Sequence, residues 1–241
     1  TYKRGIDFVN VPTTLLSMVD ASVGGKTGID LGTLKNQIGL FANPQIVIVD
    51  ADYLDTLNDR EMRSGMAEII KYGLTYDIKL LDQIKYYNHL NNNDLIYRSI
   101  QIKNEVVLED PKESGLRKIL NFGHTLGHAI ESFYLDSEDK ESLKHGEAIA
   151  IGMVCESYIS SKLLKLPEER VSQVKELVNT TYENIQIAKE DFADIIALLK
   201  HDKKNVNGNV NFVLLNDFED YKLDCLVPEE LLIESLEYYN R

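Results

Sequence analysis

The sequence predicts an α/β segment over residues 1–58 followed by a mostly α-helical domain over residues 59–241. Two observations predict this. Up to Asp50, short apolar runs alternate with loops bearing glycine, proline and aspartate, which reads as buried strands with loops between them. Beyond Asn58, apolar residues recur at three- and four-residue spacing almost to the end, the period of helices with one face in a core. The 241 residues, 44% of them hydrophobic, suffice for one large domain or two modest ones.

In chain order, Phe8–Val11 and Gln45–Asp50 read as strands, Thr13–Asp20 as a short helix and Ser22–Gly28 as a loop rich in small residues. A Rossmann-type sheet has five or six strands and a Gly-x-Gly-x-x-Gly turn; here the strands are too few and that turn is lacking. Asp59 can cap a helix carrying Met62, Met66, Ile69 and Ile70 on one face. Tyr76–Tyr87, Asp94–Glu109, Leu116–Phe133, His145–Leu164, Pro167–Tyr182 and Lys189–Leu199 continue as helices, with prolines between segments where they do least harm. Asn209–Leu215 reads as a late strand, the arm of a hairpin after the Asn207-Gly208 turn, and Pro228–Tyr239 as a closing helix.

A formal net charge of −13 argues against a broad surface for nucleic acid or anionic membrane. No apolar run approaches the roughly 20 residues that span a bilayer. Cys155 and Cys225 are too few and too far apart to staple the chain, so both read as buried thiols of a soluble cytoplasmic enzyme. The chain opens almost at once on a strand, which reads as the middle of a domain.

The chemistry concentrates at three histidines. His124 and His128 stand four apart and share a helical face, so both can address one ion or ligand, and His145 follows closely. A divalent-metal site takes three such ligands and one open position; Glu68, Glu131 and Glu147 are the carboxylates within reach on this reading. Gly123 and Gly127 precede the first two histidines, weakening a helix by about 0.5–1 kcal/mol each and pointing to a close approach by another element. Val23-Gly-Gly-Lys-Thr27 lacks the spacing of a P-loop, yet its glycine-freed N–H groups beside Lys26 suit a phosphate or carboxylate.

Taken together, Val11–Leu16, Asp20–Thr27, Lys35-Asn36, Gly65–Tyr72, Leu120–Glu131 and His145–Glu147 resemble the 3-dehydroquinate synthase family of sugar-phosphate cyclases, in order and over almost the entire chain. The resemblance implies an α/β remnant of a Rossmann-like NAD domain followed by a mostly helical domain for metal and substrate. In that family NAD transiently oxidises a hydroxyl of a seven-carbon phosphorylated sugar acid, phosphate is eliminated, the hydride returns and an aldol closes the ring. The resemblance implies Zn2+ (or Co2+) held by Glu68, His124 and His145, with His128 turned to the substrate instead. It implies substrate contacts at Asp20, Lys26, Lys71, Lys103, Arg117, Asn121 and one of Lys203 or Lys204. Thr13, Thr14, Lys26, Lys35, Asn36 and Thr56 match positions on the nucleotide side. Arg4 resembles an arginine supplied to the phosphate site by a neighbouring subunit, which implies a homodimer. The family's glycine-rich loop and ribose-binding acid are not in this sequence, so the expectation is an N-terminally short chain whose metal and substrate side is whole. Valiolone- or aminocyclitol-type cyclases, NAD-linked alcohol dehydrogenases and a non-catalytic helical module are the competing readings.

Overall fold

Asn58 starts the helical domain: its side-chain oxygen accepts the Glu61 N–H, so the cap falls one residue before the expected Asp59. From it runs α1 (Asp59–Thr75), followed by α2 (Lys79–Lys85), α3 (Asn93–Glu109), α4 (His124–Asp136), α5 (His145–Leu163), α6 (Glu168–Thr181), α7 (Phe192–Leu198) and α8 (Glu229–Asn240). The computed structural model describes residues 5–31, 34–85, 93–199 and 210–241, and the side chains of 30, 31, 34–37 and 85 also fall outside that description. Arg4, Lys203, Lys204 and the Asn207-Gly208 turn lie outside the described residues.

Helix α5 is buried at nearly every position from Gly146 to Ser160. Its sequence is apolar on all sides, and it is accordingly wrapped by α1, α4, α6, α8 and a strand of the late hairpin. The approach of α4 is set by glycine. A Cβ on Gly152 would lie 2.0 Å from the Gly123 carbonyl oxygen, and one on Gly127 would lie 2.8 Å from the Ile149 side chain. The element that the glycines before His124 and His128 admit is therefore α5.

The continuous helix expected over Leu116–Phe133 is broken. Leu116–Asn121 forms a 3-10 turn, Gly123 takes φ +77°, and α4 starts afresh at His124. The apolar pattern crosses the break unaltered, which is why periodicity alone misses it. Upstream, the Asp110 carboxylate accepts the N–H groups of Ser114, Gly115 and Arg117 and ties residues 110–117 into a compact turn. Burial works against its ionisation, but these backbone donors hold the carboxyl at about 2.

In the N-terminal segment, β1 (Val9–Asn10) pairs in parallel with β4 (Ile46–Val47), close to the two expected strands. The expected helix begins at Leu15 and passes into a π-turn over Ser17–Ala21, closed by the Ser22 N–H on the Ser17 carbonyl. The expected loop ends early: Lys26 already opens β2 (Lys26–Leu31), which pairs antiparallel with β3 (Leu34–Phe41), a hairpin the sequence reading lacks. Its Ile29, Ile38, Leu40 and Phe41 are exposed. The late strand β5 (Phe212–Asp217) also pairs forward, with β6 (Asp220–Cys225). Cys155 and Cys225 are both free and buried, and burial pushes the Cys155 thiol up to about 12.

Two stability predictions follow from this packing. Gly152→Ala forces α4 off α5 and is expected to destabilise by roughly 1–3 kcal/mol, read as a lower urea midpoint; an unchanged midpoint contradicts the close approach. Asp110 has a folded pKa below its unfolded value, so its stabilisation is complete above about pH 4 and is lost as pH falls through about 2. The difference in unfolding midpoint between wild type and Asp110→Asn should therefore hold from pH 7 to 5 and close toward pH 2.

Candidate metal and anion site

Helices α1, α4 and α5 each bring a ligand-bearing residue to one point. Glu68 lies in the middle of α1 and is fully buried. His124 and His145 are the first residues of α4 and α5, and His128 stands one turn further along α4. Glu68 Oε1 lies 3.3 Å from His124 Nε2 and 3.4 Å from His145 Nε2. It nevertheless has no partner in hydrogen-bonding geometry, although it is shut off from water. A buried carboxylate oxygen is rarely left so. The ligand nitrogens of His124, His128 and His145 lie within 4.8 Å of one another. All four predicted residues are thus brought together, and geometry offers two triads: three imidazoles, or Glu68 with two of them. The orphaned oxygen favours the second, because a cation held by Glu68 satisfies it. Imidazole and carboxylate donors fit zinc or cobalt.

The rings are aimed from behind. His124 Nδ1 lies 3.1 Å from the Phe122 carbonyl, and His145 Nδ1 lies 3.2 Å from the Glu131 carboxylate. With Nδ1–H donating in each, Nε2 is left toward the shared point. Glu131 is therefore a support and not a ligand. Glu147 also lies off the cluster: it accepts the Lys144 N–H at the start of α5 and a forked pair of bonds from Arg60 of α1. Burial and the nearby Lys71 cation push His124 down to about 4. Burial acts the same way on His145, but the Glu131 carboxylate bonded to it and the Glu68 carboxylate beside it prevail and raise it to about 9. Burial disfavours ionised Glu68, yet Lys71 and His124 hold it well below the usual carboxylate range.

An array of alternating charge continues from the cluster. Lys71 is buried, donates to Glu68 Oε2, and lies 3.9 Å from Asp20. Asp20, on the π-turn, accepts from Lys103 at 2.5 Å and from the Tyr72 hydroxyl at 2.7 Å. Burial lowers Lys103 from its ordinary value, and Asp20 only partly restores it. Beyond this array, Glu113 bridges Lys26 and Asn121, the latter at 2.6 Å. Glu113 sits at φ +59°, and as a lone acid in an acidic chain it carries no signal in the sequence. The buried Arg117 donates to the Gly24 and Pro111 carbonyls at 3.0 and 2.8 Å, fastening the glycine loop to the turn held by Asp110.

The nucleotide-side residues are less gathered. Thr14 caps the first helix reciprocally with Ser17, Thr13 is exposed, and Thr56 ends a 3-10 turn over Ala51–Thr56. Lys35 and Asn36 lie on β3, and their side chains are outside the described atoms.

Family models for the 3-dehydroquinate synthase N-terminal and C-terminal parts match residues 1–64 and 65–205. A 3-dehydroquinate synthase of Parabacteroides distasonis is 43% identical over 99% of this chain and 69% of its own length. The chain spans 59–69% of the length of curated relatives it matches, so it corresponds to about two thirds of such an enzyme. Among solved structures, a 2-epi-5-epi-valiolone synthase from Streptomyces hygroscopicus with NAD+ and Zn2+ bound superposes with a TM-score of 0.84, at 25% identity over 99% of this chain and 67% of its own. A 2-deoxy-scyllo-inosose synthase with carbaglucose-6-phosphate, NAD+ and Co2+ gives 0.82, at 27% identity over 98% and 67%. By two adjoining family models and by relatives of this identity, the chain belongs to the 3-dehydroquinate synthase family.

Proposed function

We propose that the protein acts as a 3-dehydroquinate synthase of the shikimate pathway, converting 3-deoxy-D-arabino-heptulosonate 7-phosphate to 3-dehydroquinate and phosphate. The observation that carries this reading is the orphaned Glu68 oxygen between two oriented imidazoles, set beside buried lysines within one charged array. Identity of 38–47% to curated enzymes of that name, against 25–27% to the valiolone and inosose cyclases, favours this substrate over other sugar phosphates.

In this reading Glu68, His124 and His145 hold Zn2+ (or Co2+), and Lys26, Thr13, Thr14, Lys35, Asn36 and Thr56 face NAD. When bound, the metal supplies Lewis-acid stabilisation at a substrate hydroxyl and NAD the transient oxidation. The chain itself supplies placement. Lys71 and Lys103 are fixed by burial and by Asp20, so they meet an anionic substrate without first losing side-chain freedom. Lys26 and Asn121 reach the same anion by releasing Glu113, and Arg117 holds the glycine loop beside it. His128 is less buried than His124 and faces the substrate from the open side of the cluster. The partner subunit's Arg4 completes the phosphate site in a homodimer, for which the exposed apolar side chains of the β2–β3 hairpin offer a surface. The free cysteines suit a cytoplasmic setting, and no described helix is long and apolar enough to cross a membrane.

The ligand assignment is tested by metal analysis. Glu68→Gln, His124→Ala and His145→Ala are each expected to abolish stoichiometric zinc, whereas His128→Ala keeps the metal; loss of zinc in His128→Ala with retention in Glu68→Gln would select the three-imidazole triad. The substrate is tested by phosphate release in the full-length protein supplied with NAD+ and Zn2+. Turnover of the heptulosonate 7-phosphate is expected, and turnover of sedoheptulose 7-phosphate in its place would overturn the assignment.

A further inference from the structure

Helix α5 carries two acids in its buried stretch, Glu147 in its first turn and Glu156 near the middle. The Glu156 side chain is fully enclosed and points at the start of α4. Its Oε2 accepts the Gly123 N–H at 2.6 Å, and its Oε1 accepts the Thr125 and Leu126 N–H groups at 3.2 and 3.3 Å. These are donors that a helix beginning at His124 leaves without partners of its own. Glu156 thus caps α4 from a neighbouring helix, doing what the residue before His124, a glycine without a side chain, cannot.

The Gly123 N–H belongs to the same peptide unit as the Phe122 carbonyl, and that carbonyl is the acceptor for His124 Nδ1. A planar trans peptide places N–H and C=O on opposite sides. Gripping one end therefore orients the other. The order is Glu156 carboxylate, Gly123 N–H, Phe122 C=O, His124 Nδ1–H, with Nε2 left facing Glu68. The carboxylate also offsets the positive end of α4, which otherwise faces a site suited to a cation. We propose that Glu156 is a positioning residue for the metal ligand His124, acting through the Phe122–Gly123 peptide and setting the affinity and symmetry of the metal site. This rests on the metal reading given under the proposed function.

The experiment compares wild type, Glu156→Gln and Glu156→Ala in zinc affinity by chelator competition, in the visible absorption of the Co2+-loaded protein, and in thermal unfolding of the metal-free protein. Glu156→Gln keeps an acceptor oxygen and the side-chain volume but removes the charge. It is expected to fold and to bind zinc about 10–100-fold more weakly, with an altered Co2+ spectrum. Glu156→Ala is expected to be weaker still. Wild-type affinity and spectrum in Glu156→Gln, whatever its unfolding temperature, would reduce Glu156 to a structural cap and overturn the proposal. Absence of stoichiometric metal in the wild type would overturn the metal reading itself, a distinct result.

Discussion

Everything around the cluster answers to one constraint: the Glu68 carboxylate is ionised where no water can reach it. A buried anion costs several kcal/mol unless opposite charge and hydrogen bonds surround it. Glu68 divides the requirement between its two oxygens. Lys71, three residues on and therefore on the same helical face, takes Oε2. Oε1 is turned to the two Nε2 atoms and, in the reading adopted, to the cation between them. Lys71 is in turn an enclosed cation and needs Asp20, which also binds Lys103 and Tyr72. Each group is tolerable only because the next is present, so the array is set as a whole.

The scaffold holds that array by placing both ligand histidines at helix starts. His124 opens α4 and His145 opens α5, so the positive ends of two helices converge on a site that suits a cation. A carboxylate meets each end: Glu156 at α4, and Glu147, itself braced by Arg60, at α5. The two helices can meet this closely only because Gly123, Gly127 and Gly152 carry no Cβ at their contact. Lost backbone entropy at glycine is here the condition for ligand geometry.

Much of this could be read from sequence, and the rest was hidden for identifiable reasons. Helical period located α1, α3, α5, α6 and α8 within a few residues, since each buries a continuous face. The glycines beside the histidines reported a close neighbour, and α5 is that neighbour. Period could not show the break at Gly123, because apolar spacing runs through it. It could not single out Glu68 either, since α1 and α4 meet only in three dimensions; that residue came from the family resemblance. The β2–β3 hairpin was obscured because Gly24, Gly25 and Lys26 read as an anion loop, whereas only the two glycines belong to the loop. Asp110, Glu113 and Glu156 are single acids among 39 acidic residues. Of these, Glu156 alone carries a signal, a charge in the middle of an apolar run, well away from the helix ends where Glu147 and Lys162 lie.

The two parts of the chain are joined by the same groups that are expected to meet substrate. Asp20 belongs to the N-terminal segment and reaches Lys103 on α3 and Tyr72 on α1. Gly24 belongs to that segment and is held by Arg117. Lys26, likewise, is held by Glu113. Beside an apolar seam in which Leu15, Met18 and Val19 join the helical core, these ties are ionic or hydrogen-bonded and lie at the edge of the cluster. An incoming anion that claims Lys26 must displace Glu113 and so exchange one tie for another. In the proposed function, substrate binding and the fit of the two parts therefore draw on one set of charges, which would couple occupancy of the site to how firmly the N-terminal segment is seated on the helices.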